Sequence, residues 1–328
     1  MKRIIQFHIF QGEKYYVAEC IDLPVETHSM KRFFTLSRTM HGILDLAAPG
    51  FCAVLWLGDF PHWQITLLSI FTAFTAYTAI YALNDLVGIA VDREKFAEGG
   101  INEGYSVEAS AIRYPLAQNI LSYRSGLLWF AFWFATAIIG SYLLNPVIVF
   151  ILIAAAILEV IYCLLLKVTY WRTLISGLVK MSGPIAAIFV VDTNPSPYFL
   201  LFLFVWILFW EIGGQNVPAD WNDTVEDKRV GAKTIPIQFG PQKAGLVVLA
   251  ALGLTVITSL FLPLISPLAL GLSYLIASAL AGYFLLLQPG FQLYKLQEGR
   301  LAAKLFDKAS YYPLAQLAII SIFAIFRF

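Results

Sequence analysis

Long apolar runs, each about the length of a bilayer crossing, alternate along this chain with short turns and longer charged connections. They fall at residues 38–57, 63–84, 123–144, 147–166, 173–192, 197–216, 244–263, 266–288 and 309–326. A helix of ~20 apolar residues rising 1.5 Å each crosses a ~30 Å hydrocarbon core, so the pattern predicts nine membrane-spanning helices. Gly58-Asp59-Phe60-Pro61, Asn145-Pro146, Asp192 to Pro197 and Pro263 to Pro267 mark the tight connections, as turn-forming residues do. The other connections, 85–122, 167–172, 217–243 and 289–308, carry almost all the charge. Residues 1–30 read differently: Ile4 to Phe10 and Lys14 to Cys20 alternate as two strands about a turn at Gln11-Gly12-Glu13, the pattern of a β-hairpin. The expected organisation is an all-α integral membrane domain over 36–328, preceded by a cytoplasmic appendage with a short N-terminal β-hairpin over 1–35.

Composition agrees with a membrane protein. Of the 328 residues 59% are hydrophobic and 13% charged, where soluble domains hold roughly 25% charged residues. The 22 Lys and Arg nearly cancel the 21 Asp and Glu, so no bulk charge points to a nucleic-acid partner. Placement of the cations is more telling than their number: 20 of the 22 lie before the first run, in the longer connections or at the run ends that adjoin them, leaving Lys180 inside a run and Arg327 at the far end. By the positive-inside rule the N-terminus and long loops are expected in the cytoplasm and the C-terminus outside; if the cell is bacterial or archaeal, the membrane is the plasma membrane. The opening residues lack the apolar core of a signal peptide. Cys20, Cys52 and Cys163 are far apart and suggest neither a disulfide framework nor a cysteine metal site. No P-loop, Ser/His/Asp or zinc-type spacing is present.

Two acidic clusters stand where the second and sixth runs end. The first is Asn84-Asp85-Leu86-Val87-Gly88-Ile89-Ala90-Val91-Asp92; the second runs from Asp220 through Asp223 to Asp227. Laying Asp85 on Asp220 lays Gly88 on Asp223 and Asp92 on Asp227, the same spacing of three then four. Positions i, i+3 and i+7 share a helical face, so Asp220, Asp223 and Asp227 converge if the sixth helix continues past the membrane. Clustered carboxylates call for a hard divalent cation, and Mg²⁺, which shares its coordination with phosphate oxygens, suits them. Two such faces are expected to hold a diphosphate, with Arg93, Lys95, Lys228, Arg229 and Lys233 balancing its charge and an isoprenoid tail in the apolar bundle. Glu94 and Glu226 are expected to be exposed neighbours. Asp45, Glu159, Lys180 and Glu211 fall within the runs, where ionisable groups pair or face a cavity. Lys180 either meets the diphosphate or acceptor or pairs with Asp45 or Glu159. Glu211, Gln215 and Asn216 form a polar stripe toward Asp220, and Tyr162 is a further candidate pocket residue. The loop Glu98 to Gly104 is a candidate cover over the diphosphate.

These features together resemble the UbiA superfamily of intramembrane prenyltransferases, which has nine helices and Asp-rich motifs after the second and sixth. Asn84, Asp85 and Asp92 match its first motif and Asp220, Asp223 and Asp227 its second. Gly231-Ala232-Lys233-Thr234-Ile235-Pro236 is similar to the family's G-x-K-T-x-P continuation, and Arg113-Tyr114-Pro115-Leu116 to a segment before the third helix, making Arg113 a candidate substrate contact. The resemblance implies transfer of a prenyl group from a polyprenyl diphosphate to an aromatic or other lipophilic acceptor. It also implies two Mg²⁺ ions held by Asn84, Asp85, Asp92, Asp220, Asp223 and Asp227. Gly88 departs from the motif by lacking its middle carboxylate, which weakens one metal site and keeps an intramembrane terpene cyclase, or another diphosphate-dependent transferase, in view. A non-enzymatic carrier or channel is the remaining alternative. Separately, Ile4 to His8, Tyr15 to Cys20 and Asp22-Leu23-Pro24 resemble the opening hairpin of HicB-like antitoxin domains.

Overall fold

Nine helices among the described residues are long and apolar enough to cross a membrane: α1 (Thr39–Leu57), α2 (Trp63–Ala97), α3 (Tyr123–Leu144), α4 (Pro146–Leu164), α5 (Arg172–Val191), α6 (Pro197–Asn222), α7 (Ile235–Leu264), α8 (Leu272–Leu296) and α9 (Gly299–Phe326). The computed structural model describes residues 8–10, 13–15, 29–97 and 114–326. The chain divides into two units, Met1–Lys31 and Arg32–Phe328, against an expected boundary after residue 35. In the first unit β1 (His8–Phe10) pairs antiparallel with β2 (Glu13–Tyr15), His8 opposite Tyr15 and Phe10 opposite Glu13. The rest of the expected hairpin, including Gln11-Gly12 and Tyr16 to Cys20, lies outside the described residues.

The predicted punctuation acts as local chemistry requires. Asn145 caps α4 by accepting from the Val147 amide at 3.0 Å, with Pro146 in the first turn. Pro is tolerated there because its missing N–H would have no intrahelical partner. Asn145 Nδ2 also donates to Phe189 O of α5 at 2.8 Å, tying a turn to a neighbouring helix end. Gly58 ends α1 with φ 73, and a Cβ there would stand 2.6 Å from Pro267 Cγ; positive φ and close approach together require glycine.

Five helices run well beyond their predicted ends. α2 continues to Ala97 rather than stopping at 84, α6 to Asn222 rather than 216 and α8 to Leu296 rather than 288, while α7 begins at Ile235 and α9 at Gly299. The charged residues in these extensions read as loop in a hydropathy pattern, yet Lys, Glu and Arg are good helix formers. α7 is kinked at Gly240, where φ is 77 and Pro241 follows.

α2 packs on α3 and α4, α4 on α5, and α1 lies against both α5 and α9. α6 through α9 build the larger core, around the fully buried Trp206, Trp210, Tyr274 and Tyr312. Inside it, Tyr274 Oη donates to Ser259 O at 3.0 Å and Tyr312 Oη donates to Ser259 Oγ at 2.9 Å. Gln316 Nε2 donates to Ser278 Oγ at 2.8 Å and to Tyr312 Oη at 2.9 Å, joining α9 to α8. Interhelical hydrogen bonds of this kind contribute ~0.6 kcal/mol on average in membranes, up to ~1.7. Gln316→Leu is therefore expected to destabilise the bundle by about 1–2 kcal/mol. Heating in detergent, with monodisperse protein counted by size-exclusion chromatography, should show an earlier loss for the variant.

Candidate active site

A single cavity of about 920 Å³ opens beside the two acidic clusters and extends along α2 to Thr66, Pro61 and Phe60 at the opposite turn. From Asp85 to Thr66 the rise of the helix gives ~28 Å, close to the hydrocarbon thickness. Its described walls come from α1 to α6, α9 and the short helix Thr224–Arg229, and none from α7 or α8. The volume suits a ligand of drug size or larger.

The first cluster sits on an unbroken stretch of α2, so Asp85, Gly88 and Asp92 share a face as expected. The second is interrupted: α6 ends at Asn222, Asp223 has φ −93 and ψ 11, and the short helix starts at Thr224. Thr224 Oγ1 donates to Trp221 O at 2.7 Å and to Asp220 O at 3.3 Å, closing the last turn of α6 with a side chain. Asp223 stands at the start of the short helix without a side-chain capping bond to it. The continuous helix expected there is thus corrected, although Asp220, Asp223 and Asp227 still all line the cavity.

Each cluster is met by cations from other helices. Arg172, at the start of α5, donates from Nη1 to Asp220 Oδ1 at 3.0 Å, and its guanidinium lies 3.9 Å over the Tyr162 ring. Lys95 Nζ is 2.6 Å from Asp227 Oδ1, both groups buried. Arg38, whose φ of 44 is left-handed, reaches Asn84 Oδ1 at 3.2 Å and Asp85 Oδ1 at 3.4 Å. Asn84 in turn donates to Glu159 at 2.5 Å. Asn216 Nδ2 donates to Tyr162 Oη at 2.9 Å. Burial pushes the Asp227 carboxyl above the usual carboxylate range, and the Lys95 ammonium opposes that shift.

Gly88 is not a vacant position. A Cβ built there would stand 3.2 Å from Asp92 Oδ2, so the Asp92 carboxylate one turn on leans over the glycine.

The polar stripe of α6 lies in a π-helical segment, Glu211–Asn216, with Glu211, Gln215 and Asn216 buried and on the cavity wall. Such bulges recur at functional sites. Gln215 Nε2 is committed to Phe306 O at 3.3 Å and Ser310 Oγ at 3.2 Å of α9. Of the two carboxylates expected as partners, Asp45 is the one Lys180 pairs with, at 2.7 Å, and Lys180 also lines the cavity.

Not every expected contact reaches the cavity. Arg93 points away and donates to Asn119 at 3.3 Å, about 100° round α2 from Asp92. Lys228 and Lys233 are exposed, Lys228 beside a separate shallow depression. Arg229 does not line the cavity among the described residues. Arg113 and the loop 98–104 lie outside the described residues. Glu94, expected to be exposed, is half-buried and pairs with Lys167 at 2.6 Å, and Glu226, also expected to be exposed, is buried. Arg38, Arg172, Glu159 and Tyr81 are cavity residues that the motif search passed over. For Arg38 and Arg172 the available signal was a cation at the motif-bearing end of a span.

The donor set fits a divalent cation. Among the described residues seven acidic and five Lys or Arg side chains line the cavity. Asp220 Oδ2 is buried with no hydrogen-bond partner among them. No three His, Cys, Asp or Glu of the described residues are gathered tightly enough to hold an ion as they stand, because Arg172, Lys95 and Arg38 draw the carboxylates toward themselves. Carboxylate oxygens of this kind are the hard ligands Mg²⁺ takes.

Comparison with known proteins places this arrangement. A curated relative, digeranylgeranylglyceryl phosphate synthase of Methanococcoides burtonii, is 26% identical over 229 residues, 68% of this chain and 79% of the relative. The apo structure of a UbiA homologue from Aeropyrum pernix superposes with a TM-score of 0.70 at 18% identity, covering 86% of this chain and 97% of that one. A UbiA homologue from Archaeoglobus fulgidus, bound to DMAPP and Mg²⁺, gives a TM-score of 0.62 at 17% identity over 89% and 99% of the two chains. Residues 46–318 match the model of the UbiA prenyltransferase family, and the chain belongs to that family of membrane prenyltransferases.

Proposed function

We propose that this protein binds a polyprenyl diphosphate with its diphosphate between the two acidic clusters and its tail in the membrane-deep cavity, and passes the prenyl group to a lipophilic acceptor, aromatic or otherwise. The single observation carrying the reading is the convergence of both clusters on one end of a largely apolar cavity that runs the depth of the bundle. Placement of the cations favours a cytoplasmic mouth, which in a bacterial or archaeal cell means the plasma membrane. Family membership takes precedence over the carrier or channel reading.

Asp85, Asp92, Asp220, Asp223 and Asp227, with Asn84, are the residues that would hold Mg²⁺. When bound, Mg²⁺ stabilises the negative charge that grows on the departing diphosphate. The protein's own groups do the remaining work. Arg38, Lys95 and Arg172 already neutralise carboxylates and stand where diphosphate oxygens would arrive, ready to share their donors with them. Asn216 and Tyr162 fix the wall beside Arg172. The apolar walls below exclude water, which would otherwise capture an allylic cation.

Diphosphate release from geranyl, farnesyl and geranylgeranyl diphosphates by the purified protein in lipid nanodiscs, with and without Mg²⁺ and an acceptor panel, tests the reading. Mg²⁺-dependent release that requires an acceptor supports transfer; acceptor-free release giving a cyclised product would identify a cyclase instead.

Asp223→Asn is expected to lower that release by about 100-fold or more, as loss of one charge-stabilising group does at other active sites. Its fold should survive, because Asp223 is only half-buried. Unchanged release by a folded variant would remove Asp223 from the metal site.

Gly88→Asp restores the motif's middle carboxylate but places it against Asp92, which must swing aside. A displacement of this size is expected to lower kcat by roughly 10- to 100-fold, measured in the same assay at saturating Mg²⁺. A rise in kcat would show that the room above Gly88 belongs to the metal rather than to Asp92.

A further inference from the structure

Beneath the acidic mouth the cavity changes character. Beyond Tyr77, eight residues deeper than Asp85 along α2, its described walls carry no Asp, Glu, Lys or Arg, only apolar side chains and a few hydroxyls. Three helices draw together at that level: a Cβ on Gly183 of α5 would run into the Tyr77 hydroxyl and stand 3.3 Å from Pro49 Cγ of α1. Pro49, Tyr77 and Gly183 all line the cavity, which passes between them and continues. Four residues deeper on each helix the walls are small: Ala53 of α1, Ala73 of α2 and Ala187 of α5. Ser69 and Val191 line the next turn, and the last lining residues on α2 and the turn before it are Thr66, Pro61 and Phe60.

The register of these three helices converts into length. Asp85 and Thr66 stand ~28 Å apart along the rise of α2. A diphosphate held by the acidic clusters puts C1 of its chain about one turn below Asp85, ~5 Å, which leaves ~23 Å of depth. Each isoprene unit adds four chain bonds of ~1.5 Å, an advance of ~4.5–5 Å when extended. Four units fill that depth with little to spare, and five reach its end. Two units stop just past Tyr77 and leave the space around Ala73 and Ala187 empty. Burial alone does not tell these chains apart, because the tail arrives from lipid that is as apolar as the cavity. Fit therefore decides. A short tail leaves walls that lose their contacts, and a much longer one has to bend back into packed side chains.

We propose that this cavity selects donors of four or five isoprene units, and that Ala73 and Ala187 set the length by leaving room one turn below Tyr77. The inference rests on the prenyl-transfer reading above.

A competition in lipid nanodiscs tests it. The purified protein is offered, with Mg²⁺, an equimolar mixture of non-reactive prenyl thiodiphosphates of two, three, four, five and nine isoprene units. What stays bound after washing is counted by mass spectrometry, with the amounts kept in EDTA or by empty nanodiscs subtracted. The four- and five-unit donors are expected to exceed the two- and nine-unit ones at least about tenfold, the ratio that ~1.4 kcal/mol gives. Ala73→Phe and Ala187→Phe, which fill the same level from opposite walls, should each move the maximum to two or three units. A variant that still takes the two-unit donor is folded at the mouth, so its loss of the longer ones is a matter of room. A maximum at any other length in the unmodified protein overturns the proposal, as does equal retention of all five donors. A maximum left in place by either substitution removes Ala73 and Ala187 as the determinants. Retention of no donor at any length by the unmodified protein overturns the transfer reading itself, an outcome distinct from retention without preference.

Discussion

The arrangement of the site depends on three carboxylates that enter the membrane mouth in the company of a cation from another part of the chain. Arg172 of α5 meets Asp220 of α6, Lys95 of α2 meets Asp227 of the short helix that follows, and Arg38 ahead of α1 meets Asp85 of α2. Removing charged groups from water costs several kcal/mol each, and only close pairing with further hydrogen bonds offsets it. The consequence is geometric: α1, α2, α5 and α6 are fastened to one another at one end, and the acidic clusters are held facing the same space. Withdrawal of any one cation would leave a buried carboxylate exposed to its neighbours' repulsion.

Behind this fastened end the bundle divides its labour. α7 and α8 give no residue to the described cavity wall, yet they contribute Val248, Leu252, Tyr274 and Leu286 to the larger core. The hydrogen-bond network of Ser259, Ser278, Tyr312 and Gln316 lies on that side as well. Rigidity is thus supplied away from the cavity, and the cavity wall is free to carry polar and glycine residues that pack less efficiently.

The sequence made the spans legible because their signal is local: twenty apolar residues declare themselves without reference to neighbours. The acidic clusters were legible for the same reason, being a spacing within one chain segment. What escaped was pairing between segments. Nothing in the spacing of Arg38 or Arg172 says which carboxylate each will face, since that follows from the order of helices round the cavity. Lys180 stood open between a ligand contact and a pair with Asp45 or Glu159, and Arg93, Lys228 and Lys233 were credited to the site for their nearness in sequence, although none of them lines the cavity. The break at Asp223 was hidden because Asp and Thr are ordinary within a helix and also good at starting one.

The π-helical turn from Glu211 to Asn216 sets the phase of everything after it. An α-helix advances about 100° per residue, and a π turn takes in an extra residue without extending the axis in proportion. α6 therefore changes its azimuth partway along: before the turn, Trp206 and Trp210 face the core shared with α9, and after it Asp220 faces the cavity. A straight α-helix of the same sequence could satisfy only one of these orientations. Loss of a single residue within 211–216 would thus act as a rotation of the second acidic cluster relative to its own helix, a change of hand position with every side chain of the cluster still present.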